Sequence, residues 1–153
     1  MTTKTQRMAL ILDLAEKDVD AAAKQLADAK NRVAAEQLKL DDIISYINDY
    51  AEAQSAGIKL SPEHMIRQRA FMSQLNDAQR QQRLAIAEAE RAFEHKKTLW
   101  QEAHLKQRAM QDLVKRMAED DAAIANKREE KLMDEWAARQ HAASSHQHSS
   151  KLH

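Results

Sequence analysis

The 153-residue sequence has no cysteine, one glycine and one proline. Without cysteine there is no disulfide framework and no thiolate metal site, a composition that suits a reducing compartment. Average usage would supply about ten glycines and about eight prolines in a chain of this length. Tight turns and hairpins therefore have almost nothing to be built from, which excludes strand-rich folds. Aromatic residues make up only 4%, so a thick core is not expected. Neither sign of charge prevails, with 24 Lys+Arg against 24 Asp+Glu, and no overall field favours nucleic acid or an anionic membrane. A long apolar run is missing too. Met1 to Arg7 is polar and leads into a charged amphipathic stretch, which predicts neither a signal peptide nor a spanning helix. The expected location is the cytoplasm, with any membrane association made through another protein and no direct insertion.

What remains is mostly Ala, Leu, Gln, Lys, Arg, Glu and Asp, residues that lose little rotamer freedom in a helix. The breakers gather in Ser55-Ala56-Gly57-Ile58-Lys59-Leu60-Ser61-Pro62. Gly57 suits the left-handed end of one helix, Ser61 an N-cap and Pro62 the first position of the next, with Glu63 at the positive end of its dipole. The sequence predicts an all-α fold: two long helices, about 5–54 and about 62–140, joined by a turn at about 55–61. A turn that short makes them an antiparallel coiled-coil hairpin with the second helix longer. Residues 141–153, rich in Ser and His, are expected to be a disordered tail.

Steps of three and four from Met8 trace a seam of the kind a coiled coil needs. It runs through Leu12, Ala15, Val19, Ala22, Leu26, Ala29, Val33, Glu36, Leu40, Ile43, Ile47 and Tyr50, in which only Glu36 is charged. The alanine column lets helices approach closely at modest hydrophobic gain. In the second helix the seam passes through Met65, Met72, Leu75, Ile86, Ala89, Phe93, Trp100, Ala103, Met110, Val114, Met117 and Ile124, interrupted by Gln79, Gln82, Lys96, Gln107 and Asp121. Polar seam residues fix register at a cost in stability.

Two places are predicted to hold apolar surface without an internal partner. With the fold centred near Ile58, Met8 lies opposite Met110, and the second helix overhangs by about 30 residues, roughly 45 Å at helical rise. Leu113, Val114, Met117 and Ile124 continue the stripe, and Leu132, Met133 and Trp136 form a further patch. Such a stripe marks a binding face, self-association or simply a frayed end. The second place is near the turn, where Tyr46, Tyr50 and Phe71 gather with Ile43, Leu75 and Ala78. These rings either cover the end of the seam or form an interface hot spot.

Chemistry is scarce. One glycine cannot make a phosphate-binding loop, and two helices do not enclose a catalytic pocket, so an enzyme is not expected and no cofactor is implied. Asp41-Asp42 and Glu119-Asp120-Asp121 read as solvated faces. His95 and His104 lack the spacing of a shared metal face. His141, His146, His148 and His153 read as part of the tail. Arg80-Gln81-Gln82-Arg83 is basic but has no interleaved aromatics, so nucleic-acid binding is not expected.

Leu14-Ala15-Glu16-Lys17-Asp18-Val19, the Tyr46/Tyr50 pair, Ser55-Ala56-Gly57-Ile58 and Lys131-Leu132-Met133-Asp134-Glu135-Trp136, in that order, together resemble the FliJ family of the bacterial flagellar type III export apparatus. The resemblance runs from about Leu10 to Gln140. It implies a non-enzymatic rod similar to the central stalk of rotary ATPases, placed in the hexameric export ATPase FliI, with contacts to the export gate protein FlhA and to export chaperones. It further implies that Ile43, Tyr46, Tyr50, Phe71, Leu75 and Ala78 form the gate-binding surface, and that the end bearing the overhang enters the ring. The overhang's unpaired stripe then makes Leu132, Met133 and Trp136 the expected ring contacts. Lys39 and Gln82 depart in residue type from the polar positions of that surface. A self-associating scaffold or adaptor, and the equivalent stalk of a virulence secretion system, are the alternative readings.

Overall fold

The computed structural model describes residues 3–55 and 61–151, and all but Ser61 of these are helical. Helix α1 spans Thr3–Ser55 and α2 spans Pro62–Lys151. The two pack against each other, and there is no strand among the described residues. The expected turn residues 56–60, Gly57 included, lie outside the described residues. Ser61 does cap α2: its Oγ accepts the His64 N–H at 3.3 Å and its carbonyl accepts the Met65 N–H at 3.1 Å. Pro62 follows at the position that needs no donor. At the end of α1, the Ser55 hydroxyl donates to the Glu52 carbonyl at 3.0 Å. Helix α2 continues through the Ser/His-rich segment, where a disordered tail is expected from composition. Ala137, Ala138, Ala142 and Ala143 favour helix there, and no Gly or Pro interrupts it.

The chain divides into two compact units, Ala15–Lys106 and a second made of Met1–Leu14 with Gln107–His153. Within Ala15–Lys106 the helices run antiparallel. Gln25 meets Lys96, Glu36 meets Gln82 and Tyr50 meets Phe71, pairs whose midpoints in the chain fall at residues 59 to 61. Ala15, Leu40, Ile86 and Ala89 are the buried positions, and Ala89 is the most enclosed at 1% exposure. Val19, Ala22, Leu26, Ala29, Val33, Ile43 and Ile47 are half-buried, as are Phe93 and Trp100 across from them. Among the described residues no large side chain is fully enclosed. Half-burial of a Leu, Val or Ile contributes roughly 1 kcal/mol, so this seam holds by many small increments.

In the other unit Met8, Leu12, Met110, Val114 and Met117 are half-buried. From Ala118 to Gln147 every residue is exposed. Asp121 and Ile124, expected on the seam, therefore cover nothing. The 3.5-residue period persists there, but among the described residues no helix covers it. Met65 is likewise 47% exposed, because it sits in the first turn of α2, beside the end of α1, and has fewer neighbours than a mid-helix position.

Candidate interaction surfaces

Phe71 stands between the two tyrosines. Its ring meets Tyr50 edge-on at 4.9 Å between centroids and Tyr46 at 6.2 Å, with interplanar angles of 64° and 74°. One helical turn separates Tyr46 from Tyr50, so both reach the same side of α1. Edge-to-face pairs add about 0.5–1.5 kcal/mol beyond area burial, which fixes the cluster's geometry. The cover is incomplete, since Tyr46 remains 54% exposed. Ile43, Tyr50, Phe71, Leu75 and Ala78 are half-buried. All six expected surface residues thus fall in one stretch where the arms face each other. Tyr46 is the one turned mostly to solvent, whereas Phe71, which also sits one residue before a seam position, is half-buried because its ring meets both tyrosines.

A polar network lies beside this stretch. The side-chain amide of Gln82 donates to the Glu36 carbonyl and carboxylate, and Lys39 Nζ donates to the same carboxylate at 3.2 Å. Lys39 and Gln82 therefore converge on the only charged residue of the α1 seam. The Gln82 hydrogen bond, followed by that from Lys39, holds the Glu36 carboxyl below the usual carboxylate range. Sequence inspection flags Glu36 and Gln82 separately. Their equal distance from the fold point is the signal that pairs them.

Leu132, Met133 and Trp136 are exposed by 65%, 60% and 58%. Leu132 and Trp136 are four residues apart and share a face. A surface with three large apolar side chains and no cover is the kind that proteins keep for partners. Elsewhere, Trp100 stacks on His104 with centroids 5.2 Å apart and planes 8° from parallel, a contact not anticipated from the sequence. A groove of about 900 Å³ opens between the arms over Val33, Ala34, Ala87 and Phe93, with Lys30, Glu90, Arg91 and Glu94 at its rim. It contains no nucleophile with an adjacent base. Among the described residues no three His, Asp or Glu side chains group to hold a metal ion, and no helix is long and apolar enough to cross a membrane.

An antiparallel helix pair over Ala15–Lys106, with large apolar side chains left exposed among the described residues, defines an all-helical protein of the coiled-coil type. The chain belongs to the family described as Flagellar FliJ protein, whose family model matches residues 3–146. It is 30% identical over 131 residues to the Flagellar FliJ protein of Salmonella typhi, covering 83% of this chain and 88% of that one. It is also 30% identical over 138 residues to the Flagellar FliJ protein of Escherichia coli strain K12, covering 86% and 91%. Membership of this family marks the chain as a component of the flagellar export apparatus.

Proposed function

We propose that this chain is a non-enzymatic coupling element of flagellar protein export. It serves as the stalk of the hexameric export ATPase FliI, contacts the export gate protein FlhA and escorts export chaperones. It works in the cytoplasm and reaches the membrane periphery only through its protein partners. The observation that carries the reading is that the fold leaves apolar surface uncovered in each of its two units, at Tyr46 in one and at Leu132, Met133 and Trp136 in the other. In this reading Ile43, Tyr46, Tyr50, Phe71, Leu75 and Ala78 bind the gate, and Leu132, Met133 and Trp136 bind the ATPase ring.

The physical content of coupling is differential contact. One chain can bias states of both partners only if its contacts differ between those states. A chain truncated after Met117 tests the ring assignment. It should retain gate binding and lose promotion of ATPase-ring assembly, and equal promotion by the truncated and full chains would remove that assignment. The family match to flagellar proteins favours this system over its virulence counterpart.

A further inference from the structure

Helix α2 carries a second stripe, which neither the seam nor the aromatic cluster uses. Arg69, Ser73, Asn76, Arg80 and Arg83 follow one another at steps of four, three, four and three, the spacing that keeps side chains on one helix face. At roughly 100° per residue this face lies about 160–180° around α2 from Phe71 and Ala78. The seam therefore separates the two. Arg69, Met72, Ser73, Asn76, Gln79 and Arg80 line a groove of about 520 Å³ on this side, and no carboxylate is among them.

The charges on this face are largely uncommitted. Arg69, Arg80 and Arg83 are all exposed. Arg80 pairs with Asp77 on its own helix in an exposed contact, a type that contributes little and exchanges readily. The side chains of Arg69 and Arg83 make no ion pair or hydrogen bond with another described residue. On the facing arm Asp41 is engaged by the Gln37 amide at 3.3 Å. In a chain whose 24 cations and 24 anions cancel, the three arginines of this face outnumber the two aspartates beside them, Asp77 and Asp41, and form a local excess.

The chemistry narrows the occupant. A guanidinium presents a planar fork that matches a carboxylate with two parallel hydrogen bonds, and Ser73 and Asn76 add neutral donors between the arginines. The stripe has no aromatic ring on which a base could stack and no broad apolar face to enter a lipid interface. At 1.5 Å per residue, Arg80 lies about 16 Å along the helix from Arg69, and Arg83 about 4.5 Å beyond it. We propose that this stripe is a docking face for an acidic segment of a protein partner, a helix carrying carboxylates at about the same spacing.

The test uses the full chain and a fluorescein-labelled Ala/Gln helical peptide of three to four heptads with glutamates at the stripe's own spacing, read by fluorescence anisotropy. The expected result is binding that weakens with salt. R69Q/R80Q/R83Q should bind roughly tenfold more weakly, and R69K/R80K/R83K, which keeps the charge but loses the planar fork, should fall between that variant and wild type. The same peptide with lysine in place of glutamate should not bind. Because the three side chains are exposed, the helical circular-dichroism signal and the melting midpoint should be unchanged in both variants. The proposal is overturned if wild type fails to bind the glutamate peptide, if the glutamine variant binds it equally well, or if the lysine peptide binds as tightly. Tighter, arginine-dependent binding of a single-stranded oligonucleotide or of anionic vesicles would also overturn it.

Discussion

The side-chain amide of Gln82 gives both its hydrogens to Glu36, one to the main-chain carbonyl at 2.8 Å and one to the carboxylate at 2.6 Å. The bonds join residues 46 apart in sequence, across a seam that is otherwise repetitive. Ala15, Ala22 and Ala29 recur every seven residues, as do Val19, Leu26 and Val33. A slide of one heptad would therefore again set apolar side chains against apolar ones, but it would leave Glu36 and Gln82 without each other. A polar seam pair of this kind selects register at a cost in stability.

Two variants separate selection from stability. Gln82→Ala should lower the melting midpoint by about 2–4 °C, because it strips hydrogen bonds from a half-covered carboxylate. E36L/Q82L should melt no lower than wild type and should lose the single register. Cysteine pairs read that loss. Gln25→Cys with Lys96→Cys should cross-link in the wild-type background, and Gln25→Cys with Ala89→Cys or Ala103→Cys should join them only in the double-leucine background. Exclusive 25–96 cross-linking in both backgrounds would assign register to some other feature.

The same pair predicts a pH dependence. Because the Glu36 carboxyl is held below its ordinary range by Gln82 first and Lys39 second, folding favours the charged form. The stability it adds is complete above the unfolded-state pKa, roughly 4.3, and is lost as pH falls through the lower folded-state value. Melting midpoints of wild type and Glu36→Gln should differ at neutral pH and converge as the solution is acidified. Parallel profiles would mean that the carboxylate gains nothing from its partners.

Tyr46 and Phe71 offer a separation of interface from packing. Tyr46 is mostly exposed, whereas Phe71 contacts both tyrosines. Tyr46→Ala should therefore cost no more than about 0.5–1.5 kcal/mol, the loss of its edge-to-face contact with Phe71, while Phe71→Ala should cost about 2 kcal/mol, below the range of a fully buried ring. If the cluster binds the gate, Tyr46→Ala should nonetheless weaken affinity by tenfold or more, the behaviour of an interface hot spot. Isothermal titration with the purified FlhA cytoplasmic region, alongside thermal melts, gives both numbers. Unchanged affinity in Tyr46→Ala would leave the rings a purely internal role.

Helix period is a local property and was legible throughout. The α1 seam from Met8 to Tyr50 is covered at every position, because steps of three and four report which side of a helix is apolar. Whether another helix is there to receive that side is not local. Ile124 and Asp121 keep the period and face solvent, since no described residue covers them. The aromatic cluster was legible because Tyr46 and Tyr50 on one arm and Phe71 on the other lie at similar distances from the only breakers. The basic face was not. Read linearly, Arg80 and Arg83 form a short cluster with glutamines between them, and only the four-three spacing back to Arg69 turns them into a surface. The Trp100–His104 stack depends on rotamers that spacing alone does not set.

Trp136 reports on the uncovered stretch directly. Among the described residues it is 58% exposed, whereas Trp100 is half-buried against His104. Trp100→Phe leaves Trp136 as the one remaining indole of the two in the chain. Its emission in the free protein should match that of a solvated tryptophan and be fully quenched by iodide. If Trp136 makes the proposed ring contact, adding purified FliI should move the emission to shorter wavelength and protect it from iodide, because a hot-spot aromatic is desolvated on docking. Trp136→Ala should leave the melting midpoint unchanged, since no part of the fold covers the ring, while lowering ATPase binding by at least tenfold. An indole that stays red-emitting and quenchable when the ATPase is shown to be bound by an independent measurement would place the contact elsewhere on the chain.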